Sequence, residues 1–188
     1  MNVLEQCGWR SACQQIRFLA HELKLLTCRR SVRWLVLFFE PSAGVLISYR
    51  LDRCGYLLCG PLWTGLRVLF FPVWWFFRLL GCRHEICYKA EIGRGFRVLH
   101  PTLGVVVNGD AIVGENCLLN GGNSIGVRRG IQRGELVLGD NVVMGINACV
   151  LGPAIIGDGV IIGAGAVVVT DLVAGSVAVG VPARPLSS

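Results

Sequence analysis

Between Ile86 and Val179 the chain has a single histidine, His100, followed by Pro101 at a point where a regular spacing of aliphatic residues breaks. An imidazole neutral near pH 7 is a general base for taking the proton of an alcohol as its oxygen attacks an acyl carbonyl. A second break holds Val127, Arg128, Arg129, Gly130, Arg133 and Glu135, a cation-rich set suited to phosphate or carboxylate groups. Two other patterns invite chemistry without sustaining it. Gly122 to Gly126 spells the GxSxG of a nucleophile elbow around Ser124, but that motif needs a strand, a sharp turn and a helix. Here Leu119 and Ile125 keep the aliphatic spacing through it. Cys82, His84 and Cys87 lie close together, yet no second ligand pair at zinc-type spacing follows, so no metal is expected.

The elements that must position these residues are written in a six-residue beat. Leu138, Met144, Val150, Ile156, Ile162 and Val168 set it; Gly139, Gly145, Gly157 and Gly163 directly follow four of them, and Val142, Ala148, Ala154, Val160 and Ala166 fill the fourth places. This period fits neither a helix nor an ordinary strand ladder and marks a hexapeptide β-helix, three short strands and three tight turns to a coil. Ile86, Ile92 and Val98, then Val107, Val113, Leu119 and Ile125, carry the beat backwards. The step from Val98 to Val107 is nine, and that from Ile125 to Leu138 is thirteen, read as one more than two ordinary steps. Such interruptions are loops pushed out of a rigid scaffold, where function collects. About five coils are expected, closed by the turn-rich Gly180 to Pro185.

Composition divides the chain near Gly81 into residues 1–81, helical, aromatic and basic, and residues 82–188, the β-helix. Residues 1–90 hold twelve Lys and Arg against five acids, whereas 91–188 hold six against seven. All five Trp and seven of the eight Phe lie in that first part. Ile16, Leu19, Leu23 and Leu26 predict a surface helix, and Ser42 is the expected N-cap of another through Val45, Leu46, Tyr49 and Arg50. Leu62 to Leu80 is nearly all apolar and about 28 Å long if helical. Arg67 and Arg78 fall on one narrow stripe of that helix, against an arc with Phe70, Trp74, Trp75 and Phe77. This favours a segment lying in a membrane surface, with oligomer contact and a true span as alternatives. Nine cysteines without a CxxC pair suggest reduced thiols in a cytoplasmic setting; no cleavable signal peptide and no nucleic-acid partner are expected.

From Glu85 onward the sequence EICYKAEIGRGFRVLHPTLGVVV, the VGEN and IG steps after it and the terminal GVPAR resemble serine acetyltransferases and their relatives that O-acetylate polysaccharides. The likeness covers roughly residues 41 to 186 and includes Tyr49-Arg50 in the helical part. It implies a left-handed parallel β-helix assembling as homotrimers with sites between subunits, trimers pairing or not, and acetyl-CoA lying in a groove between neighbouring coils. It makes His100 the general base and Glu85 the carboxylate that orients it. It lays Gly145, Ile146, Gly163 and Ala164 along the pantetheine arm and brings Arg128, Arg129 or Arg133 to the CoA phosphates or the acceptor.

The departures from the family pattern concern the acceptor. Leu99 stands where the family has the Asp before its catalytic His, and Gly134 and Glu135 stand where it has the Arg and His that grip serine. A zwitterion needs an anion for its ammonium and a cation for its carboxylate, so Leu99, Arg133 and Glu135 are the expected acceptor-side residues and a sugar hydroxyl becomes the expected acceptor. A glycan precursor on the inner face of a membrane fits the basic aromatic first part. The alternatives are L-serine held by Arg129 or Arg133, and a non-catalytic membrane-associated scaffold.

Overall fold

The computed structural model describes residues 8–27, 40–69, 72, 84–128 and 130–186. Helices α1 (Trp9–Thr27) and α2 (Pro41–Cys59) are followed by a 3-10 turn (Gly60–Leu62) and a single-turn α3 (Trp63–Leu66). The rest is a parallel β-helix. Its first coil is β1 (His84–Ile86), β2 (Glu91–Ile92) and β3 (Arg97–Val98); its second is β4 (Val105–Val107), β5 (Ile112–Val113) and β6 (Leu118–Leu119). The third is β7 (Asn123–Val127), β8 (Leu136–Leu138) and β9 (Val143–Met144), and the fourth β10 (Cys149–Gly152), β11 (Ala154–Ile156) and β12 (Ile161–Ile162). The fifth keeps β13 (Val167–Val168) and β14 (Val177–Gly180), its second side reduced to a bridge between Ile156 and Leu172. Antiparallel β15 (Ala183–Pro185) closes that end on β14.

The strands stack into three faces: β1-β4-β7-β10-β13, β2-β5-β8-β11, and β3-β6-β9-β12-β14. Every aliphatic residue of the six-step points inward, and Leu119, Ile125, Met144, Val150, Ile162 and Val168 are wholly buried. Each such side chain contributes about 1.5–3 kcal/mol relative to exposure, which fixes the register of a coil whose strands are only two or three residues long. Asn116, Asn141 and Asn147 turn corners at φ 57–58°, a conformation asparagine tolerates better than other side-chain-bearing residues.

The nine-residue step is a 3-10 turn, Pro101–Leu103, inserted before β4. The thirteen-residue step differs from expectation. Ile125 pairs with Val150 and Leu138 with Ile156, six positions apart on the fourth coil, so the excursion stands in for one step and inserts seven residues.

Neighbouring coils bond in both senses: Cys87, Glu91, Gly93, Arg97 and Leu99 donate N–H to carbonyls of the second coil, and Asn116 N–H donates back to Arg94 O at 2.7 Å. Alternate backbone groups of the first coil point away from the second coil, and α2 caps five of the carbonyls among them. Tyr49 Oη donates to Ala90 O at 3.0 Å, Arg50 Nη1 and Nη2 to Ile92 O and Gly93 O at 2.8 and 2.6 Å, and Arg53 Nη1 to Tyr88 O and Lys89 O at 3.0 Å. Burial pushes the Tyr49 phenol up to about 12, so it stays a donor. Arg50 is in turn paired with Glu22 of α1 at 2.5 Å, both side chains fully buried, and Glu22 also accepts Phe96 N–H at 3.2 Å. A charge inside the apolar stripe Leu19, Leu23, Leu26 was the sequence signal for this pair.

Helix α2 begins at Pro41 with Glu40 at the N-cap, so Ser42 sits in the first turn and its hydroxyl donates to Glu40 Oε1 at 3.4 Å. Proline's fixed φ suits the first helical position. Leu62 onward is not one continuous helix: α3 ends at Leu66 and a turn follows. Arg67 is not on a lipid-facing stripe, because it pairs with Asp52 at 2.9 Å and lies 4.8 Å from the Tyr88 ring centroid. Phe70, Trp74, Trp75, Phe77 and Arg78 lie outside the described residues. Among the described residues no helix is long and apolar enough to cross a membrane.

Candidate functional site

The two breaks lie on different edges of the prism. His100 is on the edge between the third and first faces, immediately before the inserted 3-10 turn, at φ −123° and ψ 69°. The register Val98–Leu119–Met144–Ile162 places Leu99, Asn120, Gly145 and Gly163 next along that edge, then His100, Gly121, Ile146 and Ala164. With coils about 4.8 Å apart, Ile146 and Ala164 stand roughly 10 and 14 Å from His100. The four residues assigned to the pantetheine arm and the candidate base thus share one edge.

Close stacking demands small residues there. A Cβ on Gly145 would stand 2.5 Å from Ala164 N, and one on Gly121, at φ 115°, would stand 3.0 Å from His100 Cβ. Two asparagines stiffen the edge. Asn120 Nδ2 donates to Met144 O at 2.8 Å; buried Asn123 donates to Gly145 O at 2.7 Å and accepts Gly121 N–H at 2.8 Å. Sequence reasoning missed them; the signal was a polar residue beside a core position in consecutive coils.

The His100 ring is exposed and makes no hydrogen bond with the described residues. Glu85 faces outward on β1, in register with Val106, and no hydrogen bond or ion pair joins it to His100 within the chain. Leu99 and Leu103, 45% and 54% exposed, flank the histidine and give the rim an apolar character. Ser124 is in the middle of β7, paired between Val106 and Cys149, with no elbow around it.

The other break, between the first and second faces, carries the cations. Arg128 Nη2 donates to Val169 O at 3.0 Å, and Arg129 lies outside the described residues. Arg133 pairs with Glu91, which also faces Arg53 at 3.6 Å. Glu135 organises the loop: its carboxylate accepts Gln132 N–H at 2.9 Å and its carbonyl accepts Ala154 N–H at 2.8 Å. Within one chain, Arg128, Arg133 and Glu135 are therefore not joined to His100.

Residues 136–170 match the bacterial transferase hexapeptide family (six repeats), whose repeats make the left-handed form of this coil. The chain is 40% identical over 160 residues to a serine acetyltransferase of Synechocystis, an alignment covering 80% of this chain and 58% of the relative. It is 33% identical over 162 residues to the serine acetyltransferase of Helicobacter pylori, covering 82% of this chain and 86% of that one. The crystal structure of Neisseria gonorrhoeae serine acetyltransferase in complex with serine superposes with a TM-score of 0.72 at 28% identity, over 92% of this chain and 69% of that one. The chain spans 30% to 58% of the length of the curated relatives that it matches at 40% identity or more. These similarities overturn the expectation of a glycan acceptor drawn from Leu99, Gly134 and Glu135: the relatives are named for serine. The inference failed because the charges that meet an acceptor need not stand at the family's positions, and a loop with three arginines adjoins the altered step.

Proposed function

This chain belongs to the serine acetyltransferase family, and from that premise we propose that it transfers the acetyl group of acetyl-CoA to the hydroxyl of L-serine. His100 is the general base. Its ring takes the hydroxyl proton as the serine oxygen attacks the thioester carbonyl, and a proton returns to the CoA sulfur as the carbon–sulfur bond breaks. Both substrates meet on one edge, so no acyl-enzyme is needed and neither Ser124 nor a cysteine takes part. Glu85, outward on the adjoining face, supplies the carboxylate that orients the ring. Gly145, Ile146, Gly163 and Ala164 make the track for the pantetheine arm, and Arg128 or Arg129 meets the CoA phosphates.

The arginine loop stands one edge away from His100 in its own chain, so Arg133 or Arg129 holds the serine carboxylate from a neighbouring chain. A homotrimer with sites between subunits is therefore part of the proposal. The outward column Leu118, Val143, Ile161 and Val177 on the third face supports it, since these aliphatic residues align across four coils and Ile161 is 45% exposed. The observation that carries the reading is the placement of His100 on the edge lined by the small-residue column, in a chain whose relatives are serine acetyltransferases. Mass spectrometry of products from acetyl-CoA and L-serine tests it. O-acetylserine should form and His100→Ala should lower turnover by roughly a hundred-fold or more. Unchanged turnover in that variant removes the base, and no product from a sample that binds acetyl-CoA removes serine.

A further inference from the structure

Away from the His100 edge, a cleft of about 390 Å³ opens where α1 and α2 cross the second face of the first two coils. Its polar walls include Ser11, Gln14, Arg53 and Glu91; its apolar walls include Phe18, Leu57 and Ile112. Arg53 is 4% exposed. Its Nη1 is committed to two carbonyls, while its Nη2 stands 3.6 Å from Glu91 Oε1, beyond hydrogen-bond length. Both ion pairs of Glu91 fall on Oε1, so Oε2 remains an acceptor. Arg133, 38% exposed at the rim, pairs directly with that Oε1. The cleft therefore offers Nη2 of a buried cation and Oε2 of a partly exposed carboxylate side by side, with aliphatic and aromatic surface beyond them.

We propose that this cleft is a second ligand site that binds a small aliphatic α-amino acid, its carboxylate on Arg53, its ammonium on Glu91 and its side chain against Phe18, Leu57 and Ile112. Adjacent opposite charges match the adjacent carboxylate and ammonium of an α-amino acid, whereas a simple carboxylate gives Glu91 Oε2 no donor and a simple amine gives Arg53 Nη2 no acceptor. The volume takes one such molecule. Because Arg133 shares Glu91, an occupant competes for the carboxylate that ties down the arginine loop.

Isothermal titration of the full chain with L-valine and L-leucine tests the site, with isovalerate and L-valinamide as controls carrying one charge each. Saturable binding of at least one amino acid is expected, with the controls at least tenfold weaker. Gln14→Trp, an exposed position at the mouth, should abolish binding while leaving acetyl transfer unchanged; Glu91→Gln should weaken binding at least tenfold; His100→Ala should leave it intact. The proposal is overturned if neither amino acid saturates, if binding survives Gln14→Trp, or if it is lost in His100→Ala. The readout needs no turnover, so it stands or falls separately from the acceptor reading.

Discussion

Replacing Glu22 by alanine should detach the helices from the β-helix at a cost that can be set out bond by bond. The wild-type carboxylate takes Arg50 Nε at 3.2 Å, Arg50 Nη2 at 2.5 Å and Phe96 N–H at 3.2 Å, all out of contact with water. Glu22→Ala leaves Arg50 charged and buried with three neutral acceptors, Gln15 Oε1, Ile92 O and Gly93 O. Removing one member of a buried pair typically costs about 3–5 kcal/mol, and an orphaned N–H about 1–3 kcal/mol. The three remaining acceptors, and water entering through the cleft beside Gln15, relieve part of this, so about 3 kcal/mol is expected. Urea unfolding followed by far-ultraviolet circular dichroism measures it. The double variant Glu22→Met, Arg50→Met is the control, because exchanging both charges for apolar groups of similar length removes the uncompensated cation. It should recover most of the loss, less the carbonyl bonds of Arg50. A loss under about 1 kcal/mol for Glu22→Ala, or a double variant weaker than the single one, would refute the claim that the cation is held by this carboxylate.

Gly145→Val should weaken acetyl-CoA binding at least tenfold by calorimetry, and lower stability by roughly 1–3 kcal/mol, because its Cβ would stand 2.5 Å from Ala164 N; unaltered affinity would clear that edge of a role. Ile161→Glu should turn the proposed trimer into monomers in sedimentation experiments, and a chain already monomeric, or still trimeric as the variant, would count against the third face as the contact. Burial pushes the Cys117 thiol up from 9.0 to about 11. The native state then keeps a proton that the unfolded chain loses, so stability falls as pH rises between those values, by roughly 2–3 kcal/mol. Cys117→Ala should flatten that slope; a slope unchanged in the variant assigns it elsewhere, Tyr49 acting with the same sign from 10 to about 12.

The six-step was legible because each coil side spends one large aliphatic residue on the core, and a two-residue strand cannot hide a slip. The same rule located His100, since a three-residue insertion cannot be absorbed between Val98 and Val107 without leaving the prism. It misread Ile125 to Leu138, because thirteen sits next to a multiple of six while the coil there makes only one step. The helices were less legible for a physical reason: their inward faces carry Arg50 and Arg53, which donate to carbonyls of residues 88–93, and Glu22, which accepts from Arg50 and Phe96 N–H, so hydrophobic periodicity does not report them. The glycan acceptor was inferred from three positions, Leu99, Gly134 and Glu135, and relatives named for serine overturn it, because three positions carry less than the likeness of the whole coil.

The caps at either end also determine how long this β-helix is. A stack whose every layer presents N–H and C=O groups to the layers above and below is a one-dimensional crystal, and nothing within a layer tells it to stop. Growth halts at one end because Tyr49, Arg50 and Arg53 terminate five carbonyls, and at the other because β15 runs antiparallel. Coil number is therefore a variable that duplication can change: a tandem copy of residues 139–156 would slot in as one more layer, in register from Leu138 to Ile156. A chain stripped of α1 and α2 would instead present a live growth face, and its failure would be polymerisation rather than unfolding.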